Sequence, residues 1–268
     1  MTVPERQPAV LHADPEHGGI RLVVFLTLFV GFFVAFQVVA WVLDRIAPEG
    51  LVDYVTFLSC IGAVPLALLM IWGVEKLLRR VWHSGLSFLV DDRGMTVRDR
   101  RTGQGLGESV QPDINWSEPI GLTNWYFALV GYPRGGRERR VDKKWLCLAS
   151  ELQQNDAKLI VYCFMPPDKA EQVVADRASD FHRINQAELY DSSFRGRIGP
   201  PTRPALPSHL LHSKEGRYWL AERRRWEFGI ELSSEDFLTY LSYARAAFNR
   251  GPGEERHPTP DVPAAGGA

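Results

Sequence analysis

This chain lacks an excess of charge of either sign. Its 31 lysines and arginines meet 32 aspartates and glutamates, a formal net charge of -1 at pH 7. No global field draws it to nucleic acid. Cysteine is scarce: Cys60, Cys147 and Cys163 are the only three. No C-x-x-C spacing occurs, which excludes the common zinc and redox motifs. An odd, sparse count also argues against a secreted disulfide scaffold. There is no G-x-S-x-G elbow. The glycine-rich stretch 102–113 leads toward a strand and no G-K-[ST] follows it, so it fails the context test for a phosphate loop. No nucleophile–base pair can be named, and neither an enzyme activity nor a cofactor or metal is expected.

Two long runs lack charge altogether, residues 22–43 and 54–74. Each is about long enough to cross the roughly 30 Å hydrocarbon core as a helix. The first exceeds the usual h-region of a signal peptide, and the segment before it is not simply basic, so it reads as an anchor. The second contains Pro65, which is expected to bend it. A soluble core of this size could not bury two helices that are apolar all round. Gly31 with Ala35, and Ser59, Ala63 and Ala67, form small-xxx-small rows that let helices pack closely or dimerise. The connector "DRIAPEG" is short. Lys76, Arg79 and Arg80 follow the second run, so the positive-inside rule puts that end, and both termini, in the cytoplasm. Trp41, Trp72 and Trp82 sit near the expected interfaces.

From Leu86 the pattern turns strand-like. "LSFLV" and "MTVRD" flank a turn at Asp91 to Gly94. Asp91 and Asp92 are neighbours, which on a strand would point to opposite faces, so they are read as turn formers and not as a catalytic pair. "INWSEPIGL" and "NWYFALVGY" are further strands. "WLCLASEL" and "LIVYCFM" form a hairpin around Asn155 and Asp156; a three-residue turn would set Cys147 opposite Cys163. Asp168 then caps a helix whose stripe is Ala170, Val173, Val174, Ala178, Phe181 and Ile184.

Some six or seven antiparallel strands closed by one helix, directly after membrane spans, resemble the bacterial pleckstrin-homology-like (PH-like) domains of membrane proteins. The resemblance rests on "FLVDDRGMTVRD", on Ile114 and Trp116, and on Ile120, and covers less than half the chain. Pro119 stands where an acidic residue often precedes that isoleucine. The resemblance implies a β-sandwich or half-barrel with a closing helix and no catalytic centre. Fold alone does not fix the ligand, because such folds host lipid, peptide and self-association surfaces.

The expected organisation is an α+β membrane protein. It has a disordered arm (1–20), a transmembrane hairpin (21–80), a PH-like cytoplasmic domain (86–190) and a linker (191–212). An aromatic-rich, partly helical C-terminal module (213–250) and a disordered tail (251–268) complete it. In that module the second half of "GRYWLAERRRWEFGIEL" alternates like a strand. Ser233 caps a helix carrying Phe237, Leu238, Leu241, Ala244 and Phe248. The module is expected to dock onto the domain or onto a partner. His209 and His212 lack a third metal ligand.

One group of residues holds a binding question. Arg134, Arg137, Arg139, Arg140, Lys143 and Lys144, together with Arg98, Arg100 and Arg101, could meet anionic headgroups, at up to about 1 kcal/mol each. The plainer reading is solvated charge. Nucleic acid fits poorly, since the run lacks interleaved aromatics. The function read here is a non-enzymatic, membrane-anchored scaffold in a bacterial inner membrane. The bilayer and a protein partner or second copy would be its contacts. The alternatives are an anionic-lipid sensor and an accessory subunit of a membrane enzyme or transporter.

Overall fold

A computed structural model describes residues 8–46, 48, 54–100, 113–129, 141–176, 180–186 and 206–250. The chain divides into two compact units, Pro15–Ser84 and the remainder, Met1–Asp14 with Gly85–Ala268.

The smaller unit is a pair of apolar helices, α1 (Gly18–Ile46) and α2 (Val55–Val81). Both extend past their charge-free runs; on α2 the flanking Glu75, Lys76, Leu77, Leu78 and Arg79 are good helix formers. α2 stays helical through Pro65. The small residues form the seam. Gly31 and Ala35 are buried on α1, and Ser59, Ala63 and Ala67 on α2. Thr27 and Ser59 are satisfied within their own helices: Thr27 donates to the Val23 carbonyl at 2.8 Å and Ser59 to that of Val55 at 2.7 Å. The outward faces are apolar and exposed, among them Phe25, Phe29, Phe33, Phe57, Leu68 and Leu69. Where the unit begins and ends, Glu16 pairs with Arg79 at 2.7 Å, and His17 packs edge-on against Trp82.

The larger unit holds two sheets. The first has the order β1-β2-β3-β4, built from β1 (Ala9–His12), β2 (Leu86–Val90), β3 (Gly94–Asp99) and β4 (Ile114–Asn115), all antiparallel. The second has the order β8-β5-β6-β7-β9, with β5 (Gly121–Ala128), β6 (Leu146–Gln154), β7 (Ala157–Met165), β8 (Phe181–Arg183) and β9 (Ile230–Glu231). Its centre is antiparallel, but β8 and β9 join parallel at the two edges. Among the described residues four helices belong to the unit: α3 (Pro167–Asp176), α4 (Ser208–Leu211), α5 (Gly216–Phe228) and α6 (Ser234–Arg250).

Period-2 alternation in β5 to β7 feeds two cores. Leu148, Leu152, Val161, Cys163 and Met165 face a core shared with Phe88, Val90 and Met95 of the first sheet and with Phe237, Tyr240 and Leu241 of α6. Trp125, Phe127, Cys147, Ala149, Tyr162 and Phe164 face the other way, under Trp219 and Ala221 of α5. The second sheet is thus buried on both faces. Gln154 joins the sheets: its side-chain amide accepts from the Asn115 N–H at 2.9 Å and donates to the Asn115 carbonyl.

Several expectations change. The arm 1–20 is not wholly disordered: Ala9–His12 is a strand, because Leu11 and Ala13 alternate into the core, each 1% exposed. The helix after Pro166 stops at Asp176, and Phe181 lies on β8, paired with Asn124 of β5. Pro167 opens that helix, leaving Asp168 in its first turn. The segment 216–228 is helical throughout, and only Ile230–Glu231 is strand. The turn at Asn155 and Asp156 has two residues, not three, so Cys147 faces Phe164, and Cys163 faces Leu148. That one-residue difference sends the two thiols to opposite faces of the sheet. The foreseen linker is already docked at its end, where Leu210 is buried.

Candidate functional site

The Asp91 to Gly94 turn is built by Asp91. Its carboxylate accepts from the Arg93 and Gly94 amides at 2.8 and 2.9 Å, an Asx-type turn. Trp116 ties to the same turn: its indole N–H donates to the Asp91 carbonyl at 2.9 Å, and its own amide donates to the Arg93 carbonyl. The aspartate turn and the Ile-x-Trp strand therefore form one structural knot, in which Asp91 is a turn former.

The nine basic candidates divide. Arg101, Arg134, Arg137, Arg139 and Arg140 lie outside the described residues. Arg98 is on β3, opposite Ser87, and Arg100 follows, its amide bonded to the Gly85 carbonyl at 2.9 Å. On β2 and β3 the inward pairs are Phe88 with Val97 and Val90 with Met95, so Arg98 belongs to the outward face with Ser87. Lys143 and Lys144 are exposed just before β6 of the other sheet. The described candidates therefore belong to two sheets, Arg98 and Arg100 to the first and Lys143 and Lys144 to the approach to β6 of the second.

The densest polar arrangement belongs to the C-terminal module. Arg225 and Glu222 are three residues apart on α5, with side chains 0% and 1% exposed, and pair through two bonds of 2.7 and 3.0 Å. Trp125 of β5 donates its indole N–H to the same carboxylate at 2.9 Å. The guanidinium lies over the Tyr162 ring at 4.6 Å and near that of Phe127. One residue earlier, Arg224 clasps Glu151 of β6 in a bidentate pair at 2.7 and 2.8 Å. On the opposite face Ser150 meets the Tyr240 hydroxyl at 3.2 Å, and burial pushes that phenol well above its usual range. At the start of α5, His182 stacks on Tyr218, and its Nε2 lies 3.4 Å from Glu215, close enough for an ion contact but not aligned as a hydrogen bond. Sequence reasoning missed this clasp. The second half of "GRYWLAERRRWEFGIEL" reads as a strand, while the three-residue spacing of Glu222 and Arg225 is the signal that could have pointed to a helical pair.

This arrangement fastens a helix to a sheet. Glu222 and Arg225 lie among packed aromatics, while Arg224 is partly exposed. His209 and His212 are exposed, and the His212 ring contacts the Ser208 carbonyl. Among the described residues no three His, Cys, Asp or Glu side chains gather as metal ligands. No family model matches the chain, and no curated protein or solved structure is significantly similar to it.

Proposed function

We propose that this protein is a non-enzymatic, membrane-anchored scaffold that presents a PH-like domain to partners at the cytoplasmic face of a bacterial inner membrane. One observation carries the reading. The apolar hairpin is inserted between β1 and β2, which pair with each other. A strand pair cannot form across a bilayer, so both ends of the hairpin belong on one side. Arg21, Lys76, Arg79 and Arg80 support reading that side as cytoplasmic. Exposed apolar faces of this extent are expected to be covered by lipid. The PH-like reading draws support from two antiparallel-centred sheets over a shared core; the parallel edges β8 and β9 are additions to that pattern. The test is in-membrane crosslinking followed by identification of what is captured. A stoichiometric protein partner supports the scaffold, and if that partner is an enzyme or transporter the chain is its accessory subunit. Substrate turnover by the purified chain would refute the proposal.

A second reading, anionic-lipid sensing, is favoured by the position of Arg100. Its backbone partner Gly85 lies four residues beyond the end of α2 at Val81, a reach of at most about 14 Å. Trypsin cleavage at Arg98 and Arg100 of the full chain, reconstituted in anionic against neutral vesicles, tests it. Equal cleavage in both removes the reading.

A further inference from the structure

The two helices of the hairpin face each other in one register. A Cβ added at Gly62 would stand 3.0 Å from Val39, one at Gly31 would meet Met70, and one at Gly19 would meet Trp82. Every step along α1 is matched by an equal step back along α2. At this register Lys76 is level with Phe25 and Glu75 with Leu26. At the other end Asp44 is level with Phe57 and Arg45 with Thr56. The charge-free runs are therefore staggered by four to five residues, about 7 Å at 1.5 Å per residue. Only residues 27–43 and 58–74 overlap, about 25 Å of helix.

At the same register, the tryptophan–cation pairs also point to a short span. Trp72 carries Lys76 over its ring at 4.9 Å, and Trp41 carries Arg45 at 4.1 Å. Such pairs sit at headgroup level. Trp72 is level with Phe29, so the two belts lie about 18 Å apart along the hairpin.

We infer that the hairpin is built for a hydrocarbon layer about 25 Å thick, nearly a helical turn thinner than the ~30 Å of a typical bilayer. Its partner is a bilayer of short acyl chains, or one thinned around it. The inference rests on the membrane-anchor reading. It does not depend on orientation. Upright, the hairpin offers its overlap of about 25 Å. With axes 8–10 Å apart, the stagger is instead absorbed by a tilt of roughly 38°, inside the range seen for membrane helices. A 22-residue run at that tilt also projects to about 26 Å.

The test uses the full chain, reconstituted in phosphatidylcholine vesicles whose hydrocarbon thickness steps from roughly 20 to 35 Å. The readout is the fraction resisting carbonate extraction after flotation, and it should peak near 25 Å. Glu75→Leu/Lys76→Leu lengthens the α2 run to Leu78 and the overlap to about 31 Å, so its peak should move up by about 6 Å. Asp44→Leu/Arg45→Leu lengthens α1 and should move it by about 5 Å, which guards against a variant that fails to fold. A chain that floats yet peaks at 30 Å or above, or a peak that neither variant moves, overturns the inference alone. A chain that floats with none of the vesicles overturns the anchor reading and this inference with it.

Discussion

Ala13 and Leu86 are hydrogen-bonded, amide to carbonyl at 3.0 Å, although both apolar helices lie between them in sequence. The same N-terminal strand is tied to the far end of the chain. Ala13 bridges Leu232, the Asp14 amide donates to Glu231, and the His12 amide reaches Asp236 at 3.3 Å. Strand β1 is thus held by β9, Leu232 and the start of α6.

That relationship predicts a crosslink. Counting from the Ala13–Leu86 bond, Val10 and Leu89 form a non-hydrogen-bonded pair, with Cα atoms about 4.5 Å apart. A disulfide can span that distance. Val10→Cys/Leu89→Cys in the full chain should form an intrachain disulfide under mild oxidation, seen as a mobility shift reversed by reductant. Val10→Cys/Val90→Cys should not, because Val90 points to the opposite face. If the first pair fails to close while the second does, the register is wrong.

A second prediction concerns the buried clasp. Removing Glu222 leaves Arg225 without its charge partner in an aromatic pocket, a situation that typically costs 3–5 kcal/mol. Glu222→Leu should lower the urea midpoint of the larger unit accordingly. Adding Arg225→Met should restore most of the loss, since replacing both charges by packed apolar groups is often neutral or better. An unrestored double variant would show that the pair does more than balance charge.

The parts legible in the sequence were those with local causes. The charge-free runs announced the hairpin, and its small residues the seam. Asp91 announced its turn, and Ser233 its cap, where the Asp236 amide reaches the serine hydroxyl at 3.1 Å. What escaped had non-local causes. Ala9–His12 is too short to show a period and finds its partner only beyond the hairpin. Trp226, Phe228 and Ile230 alternate like a strand, yet the clasp and the packing of Trp219 make residues 216–228 a helix. The register of the β6–β7 hairpin hung on one residue of turn length, with Asn155 taking the left-handed conformation at φ 51°. The basic candidates were read as a loop joined by Arg98, Arg100 and Arg101. Those described lie on or beside strands of two sheets, a placement that sequence proximity of charge does not fix.

The seam supplies a third test. Gly62 stands close to Val39, and a side chain there must push the helices apart. Gly62→Leu should loosen the hairpin, read as faster proteolysis between the helices or a lower melting temperature in detergent. Gly73 meets nothing within 4 Å, so Gly73→Leu should have little effect. Equal sensitivity at both positions would count against the observed packing.

The last prediction follows from Tyr240. Its phenol is 1% exposed between the sheet and α6, and burial raises its pKa above the unfolded value near 10, with the Glu151 charge adding to the rise against the Ser150 hydrogen bond. A group whose pKa is raised by folding holds its stabilising contribution below the unfolded pKa and loses it as pH rises toward the folded one. The larger unit should therefore keep its stability up to about pH 10 and weaken steadily above it. Tyr240→Phe removes the titrating group. It should cost about 1 kcal/mol at pH 8 through the lost Ser150 bond, yet show a flatter decline between pH 10 and 12. Thermal melts of wild type and variant across that window decide the matter. Parallel curves would mean that the phenol does not drive the alkaline loss.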